Sequence, residues 1–159
     1  MINKSIWLKG IKTKASQELK ENIKTDILII GGGITGITTS YFLKDSKSQV
    51  TLVDAGKIAH GQSSNTTGKL TYLQGLIYNK IESTYDKDTA IKYLTSQKEA
   101  IDIVKDIIIE NNIKCDFESN NSFVFTNKDS EINKLIKTEE ILKYGNIKYK
   151  TSNKLPIKF

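Results

Sequence analysis

The residues of this chain best suited to chemistry are the glycines of Gly31-Gly-Gly33-Ile-Thr-Gly36, which match the spacing G-x-G-x-x-G. That spacing suits the holding of a pyrophosphate. Gly31 permits a sharp turn, Gly33 brings the backbone up to an anion with no β-carbon between them, and Gly36 lets a helix pack closely on a strand. Free N–H groups at the positive end of the helix dipole then receive the anion. An acid, Asp54, stands 18 residues beyond Gly36, where a carboxylate accepts hydrogen bonds from a ribose 2′-hydroxyl and repels a 2′-phosphate. FAD or NAD is therefore favoured over NADP. The pattern alone also suits a glycine-rich turn in another α/β protein, with Asp54 a solvated strand end.

These residues need a strand before them and a helix after them. Asp26-Ile-Leu-Ile-Ile30 is a β-branched and aliphatic run of the kind buried on both faces of a parallel sheet. Ile34, Ile37 and Tyr41 then recur at helical spacing until about Lys44, and Gln49-Val-Thr-Leu-Val-Asp54 reads as a second strand. Strand, helix and strand in about 30 residues make a βαβ unit. The fold class expected is α/β.

Gly56 to Gly68 is glycine-bounded and rich in Ser, Asn and Thr, a loop too long for a mere connector. It has two readings: an ordinary polar surface loop, or a segment that returns to the pyrophosphate end of the cofactor. His60, the sole histidine, has no carboxylate or nucleophile nearby in sequence to orient it and reads as a loop residue. Cys115, the sole cysteine, has no disulfide or metal-site partner and reads as a buried thiol; no metal site is expected.

Downstream, Leu70 to Tyr85 is expected to be helical in part, and Asp86 to Asn112 forms a stronger helix with Ala90, Leu94, Ile101, Val104 and Ile108 along one face. Cys115–Glu118 and Ser122–Thr126 suggest a hairpin turning at Asn120-Asn121. Ile132, Leu135, Ile136 and Leu142 mark an amphipathic helix that stops near Gly145, with a short strand at Ile147–Lys150.

The charge narrows the partners. The net charge is +6, yet all 24 basic residues are lysine, spread along the 159-residue chain among Asp, Glu and Asn. Without arginine's bidentate fork, specific nucleic-acid recognition is not expected. A carboxylate clamp of the arginine type would have to lie outside this chain. No apolar stretch approaches the roughly 20 residues that cross a bilayer, and residues 1–14 resemble no secretion signal. The expected location is cytoplasmic.

Taken together, Asp26-Ile-Leu-Ile-Ile-Gly-Gly-Gly-Ile-Thr-Gly36, Asp54 and Gly61-Gln-Ser-Ser-Asn-Thr-Thr-Gly-Lys-Leu-Thr71 resemble the D-amino-acid oxidase and glycine oxidase (DAO) superfamily of FAD-dependent oxidoreductases. Ser5-Ile-Trp-Leu8, Gly75-Leu-Ile-Tyr78, Cys115-Asp-Phe-Glu118 and Phe123-Val-Phe-Thr126 are similar to segments of its bacterial branch with a C-terminal Rieske domain. The resemblance implies a Rossmann-like FAD-binding unit in which Gly31, Gly33, Ile34, Thr35 and Gly36 hold the pyrophosphate and Asp54 the ribose. It also implies that Ser63, Ser64, Thr67, Gly68 and Lys69 line the flavin side. A positive Lys69 there would stabilise an anionic reduced flavin; the same residue also reads as one more exposed lysine.

The implied activity is oxidation of an amine or amino acid by hydride transfer to flavin N5. The implied organisation is the N-terminal part of the FAD-binding domain over 1–114 and the start of an α+β substrate domain over 115–159. Members of the superfamily are longer, so the chain reads as an N-terminal portion lacking the returning strands, with a sheet edge open to association. Two alternatives stand beside this: a non-catalytic remnant or subunit that needs a partner chain, and a NAD-binding module.

Overall fold

A computed structural model describes residues 5–9 and 16–154. The chain divides into two compact units, residues 1–69 and 70–159, with a mixed α/β content that includes one small parallel sheet.

In the first unit, β1 (Ile27–Ile30) and β2 (Val50–Val53) pair in parallel, Ile27 opposite Val50 and Ile30 opposite Val53. Polar side chains pin the entry to both strands. Asp26 Oδ2 accepts the Gln49 N–H at 2.7 Å, and the Thr25 hydroxyl donates to the Gln49 carbonyl at 2.8 Å. The helix α1 (Ile34–Phe42) follows the glycine turn directly, so the expected strand, helix and strand are present. A parallel pair needs such a crossover, and α1 supplies it.

The expectation that β1 is buried on both faces is corrected. Its burial alternates, and Leu28 and Ile30 are 52% and 80% exposed. Side chains of a strand alternate between faces. Ile29 points to α1, its Cγ2 being 3.4 Å from where a β-carbon on Gly36 would stand. Leu28 and Ile30 take the other face, which nothing described in this unit covers.

The second unit is helical: α2 (Ile77–Thr84), α3 (Lys87–Glu110) and α4 (Ile132–Tyr144). Its core is Tyr78, Ala90, Leu94, Ile141, Leu142 and Ile147. Asp86 caps α3 by accepting the Thr89 N–H at 2.7 Å. Burial, then the neighbouring Tyr93 and Tyr72, push the Tyr78 phenol up to about 12; it stays protonated and donates to the Tyr72 carbonyl. The apolar face expected on α3 is present, with Ala90 and Leu94 buried and Ile101, Val104 and Ile108 half-buried.

On α4 the inward stripe differs from the expected one. Ile132 and Ile136 are 45% and 47% exposed, while Thr138 is buried beside Ile141 and Leu142. Thr138 tolerates burial because its hydroxyl is satisfied twice: it accepts from Asn79 Nδ2 at 2.7 Å and donates to the Lys134 carbonyl at 2.9 Å.

Three more expectations are corrected. Cys115–Thr126 contains no strand, so the hairpin is absent. Phe117, Phe123 and Phe125 are exposed, and two short strands without a covered apolar face are only marginally stable in water. The left-handed residue in this segment is Asp116, φ 48°, not Asn120 or Asn121. Ile147–Lys150 likewise forms no strand, because Ile147 instead closes α4: its N–H donates to the Leu142 carbonyl at 2.9 Å and its side chain joins the core. Cys115 is exposed, in a segment that gives the thiol no core to enter.

Among the described residues no helix is long and apolar enough to cross a membrane, and no cluster of His, Cys, Asp and Glu is placed to hold a metal.

Candidate functional site

The turn between β1 and α1 is built for close backbone contact. Gly31 takes φ 105°, a conformation open to glycine and strained for other residues. Its N–H donates to the Val53 carbonyl at 2.8 Å, which extends the sheet by one bond. A β-carbon on Gly36 would collide with the Gly31 carbonyl oxygen, so the first turn of α1 lies directly against the glycine turn. Gly33 is the N-cap of α1, and no side chain of its own closes that end.

Asp54 joins the turn from the end of β2. Its Oδ2 accepts the Gly32 N–H and its Oδ1 accepts the Gly56 N–H, each at 2.7 Å. These bonds, Gly32 first, hold its carboxyl below the usual carboxylate range. An ionised carboxylate has about four acceptor positions, so two bonds leave capacity for hydroxyl donors. Gly32 is tied on both sides, since its carbonyl accepts the Ala59 N–H at 2.8 Å. Ala59 adopts φ 62° to make that bond, and Ile58 lies over Gly32, its Cγ1 3.0 Å from any added β-carbon.

The loop after Gly56 returns to the same place. A 3-10 turn over Gln62–Asn65 presents Ser63, whose Oγ accepts the Ile34 N–H at 2.9 Å. Ser64 is buried, with its hydroxyl on the Gly61 carbonyl at 2.9 Å. Thr67, Gly68 and Lys69 are exposed, and Lys69 enters none of the ion pairs among the described residues.

The structure thus brings Gly31, Gly33, Ile34, Thr35, Gly36, Asp54 and Ser63 to one end of the parallel pair. It turns Ser64 inward, sets Gly68 beneath the Trp7 indole, and leaves Thr67 and Lys69 exposed. His60 is local, one ring nitrogen 2.9 Å from the Ile58 carbonyl. Sequence reasoning missed Gly32, which the spacing G-x-G-x-x-G leaves free. The signal was the third consecutive glycine, and the tight approach of Ile58 and Asp54 is its reason. It also missed what Ser5 and Trp7 touch. Ser5 donates to the Ser64 carbonyl, and Trp7 Nε1 donates to the Thr66 carbonyl at 2.7 Å.

Comparison with known proteins decides among the possible owners of such a turn. Residues 26–151 match the sequence profile of the FAD dependent oxidoreductase family, DAO. The chain belongs to that family. Among its relatives is YhfW of Bacillus subtilis (strain 168), which carries the name of a Rieske 2Fe-2S iron–sulfur protein. It is 30% identical over 129 residues, covering 81% of this chain and 25% of YhfW. Another is the gamma-glutamylputrescine oxidoreductase of Escherichia coli (strain K12), 30% identical over 129 residues, covering 80% of this chain and 30% of that enzyme. The chain thus spans under a third of the length of these relatives. No solved structure gives a significant match.

Membership of the DAO family implies FAD as the cofactor. The residues present fit that group: the backbone of Gly31–Gly33 reaches the start of α1 without β-carbons, and an ionised Asp54 with spare acceptor capacity stands beside it.

Proposed function

We propose that this chain supplies the pyrophosphate and adenosine-ribose part of the FAD site of an oxidoreductase acting on amines or amino acids. Gly31, Gly33, Ile34, Thr35 and Gly36 would hold the pyrophosphate at the start of α1, and Asp54 the ribose hydroxyls. Ser63, Ser64, Thr67, Gly68 and Lys69 would serve the flavin side. FAD, when bound, supplies the two-electron acceptor for a hydride leaving the carbon of a substrate C–N bond. In this reading β1, α1 and β2 are the opening of a Rossmann-like domain that takes in residues 1–114, and residues 115–159 begin the substrate domain.

The observation that carries the reading is the bond from Gly32 N–H to Asp54 Oδ2 at 2.7 Å. It sets the acid against the glycine turn, so that one dinucleotide can meet both, and its charge repels a 2′-phosphate. The amine substrate class draws support from the Escherichia coli relative, whose name describes an oxidoreductase of gamma-glutamylputrescine.

The test is titration of FAD, with NADH in parallel, into the purified chain and its Asp54→Ala and Gly33→Val variants. The expected result is saturable FAD binding by the parent, weaker NADH binding, and affinities at least about tenfold lower in both variants, the loss of about 1.4 kcal/mol of contact. A folded parent that binds no FAD, or variants that bind as the parent does, would reject this site.

A further inference from the structure

The loop that returns to the start of α1 is held from outside by a segment remote in sequence. Ile6–Leu8 forms a short 3-10 turn. The Ser5 hydroxyl donates to the Ser64 carbonyl and accepts the Trp7 N–H at 3.3 Å. Trp7 Nε1 donates to the Thr66 carbonyl at 2.7 Å. The indole lies over Gly68, where a β-carbon would come within 2.7 Å of Cζ2 and 2.8 Å of Cη2. Gly68 takes φ 68°, so both its conformation and the ring above it exclude a side chain.

The loop's own bonds tie it mainly to itself. Ser64 Oγ and Asn65 Nδ2 both donate to the Gly61 carbonyl, and the Gly68 N–H donates to Thr66 Oγ1. Such short-range bonds fix local turns but not where the loop stands against α1. At its start the loop is anchored to the glycine turn by the Ala59 N–H on the Gly32 carbonyl at 2.8 Å. The placement of its later part, residues 62–68, rests on the Ser63 hydroxyl at Ile34 and on the grip of Ser5 and Trp7 at Ser64, Thr66 and Gly68.

We propose that Ser5 and Trp7 are positioning residues. They strap the loop in the register at which Ser63 meets the start of α1, and they thereby set the affinity of the chain for FAD. This rests on the FAD reading of the site given above. An unstrapped loop would sample many conformations, and FAD would bind only the fraction already in register.

The experiment compares the full chain with Trp7→Ala and Trp7→Phe by amide hydrogen exchange and by FAD titration. In Trp7→Ala, exchange across residues 62–68 should rise about tenfold or more while that of β1 stays at the parent's rate, and FAD affinity should fall about fivefold or more. Trp7→Phe keeps a ring over Gly68 but loses the indole donor, and should fall between the two. Trp7 is the sole tryptophan, so its emission reports the strap alone, and a Gly68→Leu variant should shift it to the red as the ring is displaced into water. Unchanged loop exchange in Trp7→Ala overturns the strap whatever FAD does. Raised exchange with parent-like FAD affinity overturns the positioning role. A parent that binds no FAD overturns the cofactor reading and the affinity half of this proposal, and the exchange data then judge the strap by themselves.

Discussion

Asp54 and Gly32 are joined by a 2.7 Å hydrogen bond from a backbone N–H to a carboxylate oxygen, so the acid at the end of β2 and the centre of the glycine turn act as one unit. The same carboxylate takes the Gly56 N–H. An exposed charge is thereby built into the backbone of the site.

This gives the acid limb of stability a defined sign. The folded-state pKa of Asp54 lies below its ordinary value of 3.8, chiefly through the Gly32 N–H and then that of Gly56. The contribution is therefore complete above the unfolded value and is lost as pH falls through the lower folded one. Asp86, lowered by the N–H and hydroxyl of Thr89, titrates in the same direction. Thermal melts of the parent should fall in midpoint as pH drops below about 4. Asp54→Asn and Asp86→Asn should each flatten that fall, and a double variant should flatten it most.

Gly36 and Gly56 form a matched pair for a steric test. A β-carbon at Gly36 would collide with the Gly31 carbonyl, whereas at Gly56 it would meet only Asp54 Oδ1 at an ordinary 3.6 Å. Gly36→Ala should cost about 3 kcal/mol of stability, at the upper end for overpacking. Gly56→Ala should stay within about 0.5 kcal/mol. Urea unfolding of both variants measures the difference.

The end of α4 separates two reasons for a small residue. Asn146 is the left-handed residue, φ 53°, while Gly145 has a negative φ and lies so close to Leu94 that a β-carbon would overlap its Cδ2. Asn146→Gly should stabilise the second unit by a few tenths to about 1 kcal/mol. Gly145→Ala should destabilise it by about 1–3 kcal/mol. Midpoints from denaturant melts should move in opposite directions.

Thr138 supplies a test of the buried polar contact. Thr138→Val keeps the shape but removes one of the two acceptors of Asn79 Nδ2, which retains the Lys134 carbonyl at 2.8 Å, and the cost should be about 1 kcal/mol. Replacing Asn79 by Leu in that background should recover part of the loss, as it also removes the buried Asn79 Oδ1, which has no hydrogen-bond partner among the described residues.

What was legible in the sequence follows from which constraints are local. The strand, glycine turn, helix and second strand could be read because Gly31 and Gly36 answer steric demands that act within a few residues. Helix α3 could be read because one apolar period runs through it, and the end of α4 was found near Gly145, although the left-handed residue is its neighbour Asn146. The inward place of Thr138 was hidden, since a threonine reads as polar until Asn79 arrives from another helix. The hairpin at 115–126 was expected from β-prone residues, but pairing depends on a covering face that local composition does not reveal. In the candidate site, the glycines and Asp54 were singled out by type and spacing, whereas composition left the loop after Gly56 open between two readings and Ser63 was pointed to only by the family resemblance. Trp7 was not placed, because its bond to Thr66 joins positions 59 residues apart.

The open side of β1, where Leu28 and Ile30 stand 52% and 80% exposed, has a consequence for handling this protein. A fluorescent dye that reports apolar surface will light up on the natively folded chain. Such a signal is ordinarily taken as the mark of a molten globule, but here a well-ordered strand would produce it. Partial unfolding in this protein is better followed by near-ultraviolet circular dichroism, which reports side-chain packing rather than oily surface.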